Sequence, residues 1–292
     1  MSSFLQVKSA LILFLRIIAW LPLPLLHLVG ALLGLVSLMR PRHRQGMAEN
    51  LRQAGLYTPG LLLRTAMELG KGLLELPAVW LRPLARATGL VREVRGWEHV
   101  EAARHAGKGL IVLGPHLGCL ELAGLYLAER LPITALYRRP RQAWAHNLMQ
   151  AGRNRGLAKM VEPNLGGVRA LVSALKRNEA AWVLPDQKAN QGEGAWAPMF
   201  GRWAYMPTLL YRLAGKTGAK PLLFYCKRLS WGRGYRLVIE PLPDFPADIE
   251  AAMRLVNHAL EESVRRLPEQ YLWNYRLHRK KRNQTPPSAP AR

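Results

Sequence analysis

From residue 91 onward, short apolar runs alternate with stretches of helical periodicity, and this alternation constrains the fold more than any other feature of the chain. The run GLIVLG at residues 109–114 contains β-branched residues and is bounded by glycines, which is typical of a buried strand. Strands and helices that alternate in this way build layers around a central sheet. We therefore predict an α/β domain whose central sheet is largely parallel or mixed and is flanked by helices.

Other segments fit the same pattern. Apolar runs predict strands at residues 133–138, 157–163, 180–186, 220–229 and 235–242. Helical periodicity predicts helices at residues 121–130, 142–155, 168–178, 207–217 and 247–267. Pro207 falls at the first turn of its predicted helix, where a missing N–H costs little. In sheets of this kind ligands gather at the carboxyl ends of strands, so we expect the chemistry of the chain there.

The amino-terminal segment, residues 10–39, is apolar over a length that a membrane helix requires. Arg16, Pro22 and Pro24 interrupt it, because a charge at mid-bilayer is costly and proline breaks helix hydrogen bonds. The segment is therefore predicted to anchor the chain by spanning the bilayer, by entering it and turning, or by lying in the interface. The basic residues just after it place the following domain on the cytoplasmic face: Arg40, Arg42, His43 and Arg44.

This pattern divides the chain into three parts. Residues 1–44 form the predicted membrane anchor with its basic flank, and residues 45–282 form one domain that begins with helices over residues 45–89. Residues 283–292 are polar and proline-rich, and we predict that this tail is disordered.

The net charge of +23 implies an anionic partner, which is a nucleic acid, an anionic membrane face, or an acidic protein or substrate. Charge alone does not choose among these. The chain has two cysteines, Cys119 and Cys226, too few for a disulfide framework or a four-cysteine zinc site. We expect both thiols to be reduced.

His116 follows the buried strand at residues 109–114 directly, and Glu121 falls in the first turns of the next predicted helix. If His116 lies in the loop, its ring is able to fold back and meet the carboxylate of Glu121. A histidine held by a carboxylate is suited to take a proton from an alcohol, because the carboxylate fixes the tautomer and stabilises the imidazolium. The alternative for His116 is a capping or buried structural role.

At these residues the chain resembles a known family. GPHLGCLELAG is similar to the His-x-x-x-x-Asp/Glu block of the lysophospholipid acyltransferase superfamily, in the glutamate form found in the late lauroyl and myristoyl transferases of lipid A biosynthesis. Further blocks agree in order along the chain: YRRP at 137–140, RNRG at 153–156, LPDQ at 184–187, MFGRWAYMPT at 199–208 and PEQYLWNYRLHRKK at 268–281. The resemblance covers nearly the whole chain.

The resemblance implies a reaction and a location. An acyl chain passes from acyl carrier protein to a 3-hydroxyl on an acyl chain of a lipid A precursor, on the cytoplasmic face of the bacterial inner membrane. His116 would deprotonate the hydroxyl, with Glu121 as its catalytic partner, and no covalent enzyme intermediate would form. No metal and no redox cofactor is required. The implied partners are acyl-acyl carrier protein, the lipid A precursor and membrane lipids, with no nucleic acid.

The resemblance also points to residues that bind substrate. Arg153 matches the arginine block and is expected to bind an acceptor phosphate or stabilise the oxyanion; its alternative role is a salt bridge at a helix end. Asp186 follows a predicted strand, so it orients Arg153 or the substrate, or caps a loop. The remaining candidates are cations for anionic partners or a solvated basic face: Arg138, Arg139, Arg141 and the group at 276–282.

Five alternatives remain beside this interpretation. Cys119 is a competing nucleophile, but only with a lowered thiol pKa. A glycerophospholipid acyltransferase typically carries Asp in place of Glu121 and a Glu-Gly-Thr-Arg block, which is not in the sequence. Another glycolipid, such as a mannoside lipid, is an open choice of acceptor. A basic membrane-associated nucleic-acid-binding protein or an inactive scaffold would explain the charge, but no nucleic-acid-binding signature is present and His116 and Glu121 are both in place.

Overall fold

The structure is a computed structural model, and it describes residues 12–140, 142–275 and 286–287. Its centre is a seven-stranded sheet. The strands are Val91–Arg95 (β1), Leu110–Leu113 (β2), Ile133–Leu136 (β3), Ala158–Val161 (β4), Ala180–Val183 (β5), Lys220–Arg228 (β8) and Tyr235–Pro241 (β9). Their order across the sheet is β1-β9-β8-β2-β5-β3-β4. All neighbouring strands run parallel except β8 and β9, which are antiparallel.

Helices cover both faces of this sheet. A short helix occupies residues 12–20 (α1). The others are Leu23–Ser37 (α2), Pro41–Gln53 (α3), Pro59–Leu81 (α4), Leu84–Thr88 (α5), Trp97–His105 (α6), Leu120–Ala128 (α7), Ala143–Arg153 (α8), Leu165–Lys176 (α9), Leu209–Thr217 (α10) and Ile249–Arg266 (α11). Two core clusters result, one that includes Ile111 and the buried residues of α11, and one that includes Val112 and the buried residues of α7.

The predicted fold class is confirmed for the α/β domain. The central sheet is mostly parallel because β2, β3, β4 and β5 are joined through helices, as strand–helix alternation requires. The burial of β2 agrees with this topology, because all four of its residues are buried, as expected for a strand that is covered on both faces of the sheet.

One predicted element differs in detail, and the strand β1, the helix α6 and one hairpin were not singled out from the sequence. Pro207 ends a strand, and the helix after it begins at Leu209 rather than at the proline. That strand, Arg202–Pro207 (β7), pairs in antiparallel fashion with Gly194–Met199 (β6). The hairpin turns at Phe200 and Gly201, which have φ of 50° and 69°. Positive φ at both central residues is the geometry that joins twisted antiparallel strands with two residues.

The helix α2 packs closely along α4 through small residues. A Cβ atom added at Gly34 would lie 1.9 Å from the carbonyl oxygen of Ala66, and one added at Gly70 would lie 1.9 Å from that of Gly30. Small residues spaced four apart let two helix backbones approach in this way. The outward side of α2 is left exposed and apolar: Leu25, Leu28, Val29, Leu32, Leu33 and Val36.

Among the described residues, no single helix combines the length and the hydropathy needed to cross a bilayer, while α2 and α3 reach this only as a pair bent by 98°. Three further predictions fall outside the described residues. These are the role of Arg141, the basic group at 276–282, and the tail at 283–292, of which only residues 286–287 are described.

Candidate active site

The loop at residues 114–119 connects β2 to α7 and carries His116 at the carboxyl edge of the sheet. Backbone hydrogen bonds fix the loop, since the N–H of Cys119 donates to the carbonyl of Cys226 at 2.7 Å and the N–H of Leu272 donates to the carbonyl of His116 at 3.1 Å. Gly118 has φ of 67°, and a Cβ there would lie 2.0 Å from the carbonyl oxygen of Cys226. Only glycine fits this close approach.

Asp186 holds the imidazole of His116. Oδ1 of Asp186 lies 2.7 Å from Nδ1 of His116, and Oδ2 accepts a hydrogen bond of 2.7 Å from the backbone N–H of the same histidine. The two residues meet because β2 and β5 are neighbouring parallel strands whose carboxyl ends lie side by side. When the ring proton is on Nδ1, the other ring nitrogen, Nε2, carries the lone pair. This ring nitrogen lies 3.2 Å from the side-chain amide nitrogen of Gln187.

Two opposing effects set the pKa of His116. Burial favours the neutral ring, but the charge of Asp186 and its hydrogen bond, together with the charge of Glu121, outweigh it and raise the pKa above its usual value. Asp186 is itself 2% exposed, whereas the side chain of His116 is 22% exposed. The site therefore has a buried carboxylate behind a partly accessible base.

Glu121 lies in the first turn of α7 and is paired with Arg153 at the end of α8. Nε of Arg153 donates to Oε2 at 2.8 Å, Nη2 donates to Oε1, and the indole N–H of Trp80 donates to Oε2 at 3.0 Å. Burial opposes the charge on Arg153, but Glu121 outweighs this effect and raises the pKa of the guanidinium. The guanidinium of Arg153 is therefore charged, and its two hydrogen bonds to Glu121 fix both side chains in position.

A cavity of about 1020 Å³ opens beside these side chains. His116, Glu121 and Arg153 form part of its wall. Much of the remaining wall is apolar: Leu125, Ile133, Ala135, Leu136, Met160, Val168, Val172 and Trp182. Polar and charged residues also line it: Arg138, Lys188, Asn190, Glu193, Arg212 and Lys216. The cavity combines a chamber for an apolar chain with a wall that carries several cations.

The five residues singled out in the sequence thus fall in one place. His116, Glu121, Arg153 and Arg138 line the cavity, and Asp186 lies behind His116. The expected contact between His116 and Glu121 is absent, because Arg153 and Trp80 occupy the Glu121 carboxylate and Asp186 occupies the ring. Asp186 orients the histidine ring and accepts a hydrogen bond from the backbone N–H of His116, whereas the sequence predicted that it orients Arg153 or the substrate or caps a loop. Arg153 does form a salt bridge at a helix end, and it forms that bridge inside the cavity wall.

Three residues of the site were not singled out from the sequence. Trp80 reaches Glu121 from α4, and the hydroxyl of Tyr271 is hydrogen-bonded to Asp186. Gln187 stands beside Asp186 in the LPDQ block, so its position could have been found there. Tyr271 lies in the PEQYLWNYRLHRKK block, so it could have been found in the same way, whereas Trp80 has no signal near Glu121, its partner 41 positions later in the chain.

The competing nucleophile, Cys119, is poorly placed. Its side chain is 2% exposed, and burial together with the charge of Glu75 raises the pKa of the thiol well above its usual value. A thiol of this kind is not ionised near neutral pH, and the thiolate is the reactive form. No group of three or more His, Cys, Asp or Glu side chains arranged for a metal ion occurs in the part of the chain that the structure describes.

A buried polar cluster lies under the loop at 114–119. Arg228 forms two hydrogen bonds with Glu75, from Nε at 2.8 Å and from Nη2 at 2.6 Å, and Nη2 also donates to the carbonyl of Gly118 at 2.9 Å. Glu75 also accepts a hydrogen bond of 2.7 Å from the hydroxyl of Tyr235, and His27 of α2 lies 3.3 Å from it. This cluster connects α2, α4 and β8 to the backbone beside His116.

Comparison with known proteins places this geometry in a family. Residues 3–280 match the model of the bacterial lipid A biosynthesis acyltransferases. The chain is 29% identical to the lipid A biosynthesis palmitoleoyltransferase of Escherichia coli K12 over 264 residues, which cover 88% of this chain and 85% of that protein. It is 27% identical to the lauroyltransferase of the same organism over 274 residues, with 89% and 87% covered.

A third relative is the phosphatidylinositol mannoside acyltransferase of Mycobacterium tuberculosis H37Rv. It is 29% identical over 195 residues, which cover 61% of this chain and 56% of that protein. The match to the family model spans nearly the whole sequence, from the amino-terminal apolar segment through the cavity and the loop at 114–119. The chain belongs to the bacterial lipid A biosynthesis acyltransferase family.

Proposed function

We propose that the protein transfers a fatty acyl chain from acyl carrier protein to a hydroxyl of a lipid A precursor, with His116 as the general base. The observation that carries this proposal is the pairing of His116 with the buried carboxylate of Asp186 at the wall of a cavity of about 1020 Å³ with a largely apolar lining. A base, a chamber for an acyl chain and cations for phosphates are the three elements that the reaction needs. The family supports the acceptor.

In the proposed reaction, Nε2 of His116 takes the proton of the acceptor hydroxyl. The hydroxyl oxygen attacks the thioester carbonyl, the tetrahedral intermediate collapses, and the C–S bond breaks. The imidazolium then returns the proton to the leaving thiolate, so that ester and free thiol are the products. Asp186 stabilises the imidazolium while it exists, as a carboxylate on Nδ1 does in other histidine-based acyl transfers. General-base help of this kind supplies about 10²–10⁴-fold in rate.

Glu121 and Arg153 act in this proposal as one charged unit in the cavity wall. The negative charge of Glu121 adds to that of Asp186 in favouring protonation of His116 during the reaction. Arg153, held by two hydrogen bonds, points a guanidinium at the cavity, where it binds a phosphate or stabilises the oxyanion. Arg138 supplies a further cation for an acceptor phosphate or for the acidic carrier protein.

The membrane anchor of the enzyme is proposed to be residues 1–44, with residues 45–282 as the transfer domain. This assignment is supported by the exposed apolar side of α2 and by the exposed side chains of Phe14, Ile17 and Trp20 in α1. So many exposed large apolar side chains on neighbouring helices are unusual on the surface of a soluble protein. The inner membrane, with the domain on the cytoplasmic face, is the proposed location. Anionic lipids there would attract a chain of net charge +23.

The proposal is tested by incubating the detergent-solubilised protein with acyl carrier proteins of several chain lengths and a tetra-acylated lipid A precursor. Mass spectrometry is expected to find one added acyl group. His116→Ala and Glu121→Ala should lose most of this product, while His105→Ala, which changes an exposed histidine of α6, should retain it. Full activity of both site variants would contradict the mechanism.

One alternative acceptor has an observation in its favour. The similarity to a mannoside acyltransferase supports a second test with a mannosylated phospholipid acceptor in the same assay. The family membership favours the lipid A precursor over this acceptor, over glycerophospholipids and over the nucleic-acid-binding alternative. Product from the mannoside and none from the lipid A precursor would reverse that preference.

A further inference from the structure

Trp231 stands out in the turn between β8 and β9 because nearly all of it is exposed to solvent. It is 88% exposed, the largest value among the large apolar side chains of the described residues. Its backbone has φ of 61°, in the left-handed region. For a bulky residue that conformation is a strained outlier. The turn therefore holds a large indole in solvent at the expense of backbone strain.

The backbone of this turn packs against the start of α2, the helix whose outward side is exposed and apolar. A Cβ atom added at Gly232 would lie 2.5 Å from the Cα and N atoms of Pro24, so the turn backbone touches the start of α2. Trp20, 54% exposed, ends α1 three residues before the first residue of α2. Trp231 therefore extends the exposed apolar surface of α1 and α2 with a residue that is more than 190 positions away in the sequence.

The same turn lies at the edge of the sheet that carries the active site. Strands β2 and β8 are parallel neighbours, so the loop after β2 and the turn after β8 emerge at one edge. The two are joined directly, since Arg228 at the end of β8 donates to the carbonyl of Gly118, two residues after His116. Trp231 and the loop of His116 therefore lie toward the same end of the sheet.

The chemistry of this surface fits the boundary between lipid headgroups and acyl chains. Indole has an apolar ring and one N–H donor, and tryptophan is enriched at that boundary. Cations belong to the same surface: the guanidinium of Arg86 lies 5.2 Å from the ring centre of Trp20, and the exposed Arg233 follows Trp231 by two residues in the turn. An anionic leaflet supplies the phosphates for such cations.

We propose that Trp231 inserts into the headgroup boundary of an anionic bilayer beside α1 and α2 and turns the His116 edge of the sheet toward the lipid. The inference rests on the proposed function, in which the acceptor is a membrane lipid. It adds to the amino-terminal anchor a contact from a turn that is distant in the sequence and adjacent in space. Because α2 is packed against α4, a wider contact at α1, α2 and Trp231 restricts the tilt of the whole domain on the membrane.

Insertion is measured with an environment-sensitive fluorophore on Trp231→Cys. Labelling is selective, because Cys119 and Cys226 are buried and burial raises the pKa of both thiols. With vesicles of phosphatidylethanolamine and phosphatidylglycerol, we expect a blue-shifted emission that a lipid-borne quencher removes. The same label on His258→Cys, an exposed position of α11, should not respond. A Trp231→Cys label that stays solvent-like on vesicle-bound protein overturns the proposal.

A second variant separates this proposal from the proposed function. Trp231→Gly removes the ring and suits the positive φ, so it should fold as stably as the wild type. We expect its vesicle affinity to fall about tenfold, from the loss of one buried aromatic side chain. Acyl transfer in detergent micelles should be unchanged, and transfer to acceptor in vesicles should fall with the affinity.

Each outcome has one meaning. Unchanged vesicle affinity in Trp231→Gly overturns the insertion of Trp231 and leaves the proposed function intact. Absence of acyl transfer by the wild-type protein in micelles overturns the proposed function whatever the fluorophore reports. A fall of transfer in micelles as well as in vesicles would assign Trp231 to the active site instead, and this also contradicts the proposal.

Discussion

The carboxylate that holds the ring of His116 is that of Asp186, 70 positions later in the chain, at 2.7 Å from Nδ1. Glu121, five positions from His116, is bonded to Arg153 instead. The site is therefore two coupled units, a base with its orienting carboxylate and an ion pair in the cavity wall. Substitutions in each unit should therefore separate their contributions to the rate of acyl transfer.

Asp186→Asn should remove the negative charge behind His116 and leave the volume unchanged. An amide that donates to Nδ1 stabilises the wrong tautomer and no longer favours the imidazolium, so we expect the rate of acyl transfer to fall on the order of 10²–10⁴-fold. The rate is measured by mass spectrometry of the acylated lipid. Asp244→Asn changes an exposed aspartate bonded to Lys220 and should act as wild type. Near-normal rates in Asp186→Asn would show that Asp186 only caps the loop.

Glu121→Gln and Arg153→Met should each reduce transfer strongly, because each leaves its buried partner without its counter-charge. If the two residues act as one unit, the double variant should lose no more than the worse single variant. A double-mutant cycle on kcat/KM measures this coupling. If the losses in kcat/KM of the two single variants add up in the double variant, the two residues act separately. Glu121 would then be a direct partner of His116, and Arg153 would be a phosphate contact.

Filling the apolar part of the cavity should shorten the acyl chains that are accepted. Val172 lines the wall from α9, and Val172→Trp adds a ring to that space. We expect competition between carrier proteins with short and long chains to shift toward the shorter product. The exposed Val36→Ala of α2 lies outside the cavity and should leave the product distribution unchanged. An unchanged distribution in Val172→Trp would place the acyl chain elsewhere.

The contact of α2 with α4 should depend on Gly34. Gly34→Val would drive a side chain into the backbone of Ala66, and overpacking of this kind costs about 1–3 kcal/mol or more. Thermal unfolding and protease sensitivity of residues 23–37 measure the loss. Gly46→Ala is the matched control, because a Cβ there meets nothing within 4 Å. Equal unfolding temperatures for Gly34→Val and wild type would contradict the close packing.

The buried pair of Glu75 and Arg228 should matter for stability more than exposed pairs do. Burial opposes the charge of Glu75, but Arg228 and His27 outweigh it and hold its pKa below its usual value. Glu75→Gln leaves Arg228 with only the carboxylate of Glu68, 3.5 Å from Nη1, as a counter-charge, so we expect a loss of about 3 kcal/mol in the free energy of unfolding. Because the folded-state pKa is lowered, the stabilisation by Glu75 is present above pH 4.5 and is lost as the pH falls below it.

Denaturant unfolding of Glu75→Gln at pH 7 and at acid pH checks both statements. The control is Glu129→Gln, which breaks an exposed pair with Arg130 and should change stability little. If Glu75→Gln unfolds like the control, the cluster is not what supports the loop at Gly118.

Much of the fold could be predicted because its signals are local. The apolar run of β2 and the amphipathic pattern of α11 lie within one segment each, and both elements occur where the sequence indicates. The β6–β7 hairpin was missed because Phe200 occupies a turn position where asparagine is the usual signal, and because Pro198 and Pro207 lie in its strands.

The residues of the site could be predicted, but not how they pair. His116 and Asp186 were both expected at carboxyl ends of strands, yet their contact depends on β5 lying next to β2, with β3 and β4 beyond it. Strand order is set by packing over the whole sheet and has no signal near either residue. Glu121 seemed the natural partner because it is close in sequence, but Arg153 and Trp80 reach it from α8 and α4.

The most direct test of His116 as a base held by Asp186 is the pH dependence of kcat/KM in wild type and Asp186→Asn. The neutral ring is the active form, and its pKa is raised, so activity should be lost on the acid side with a midpoint above the ordinary histidine value of about 6.5. In Asp186→Asn the charge that raises this pKa is gone, and the midpoint should move to lower pH. The same midpoint in both proteins would contradict the account.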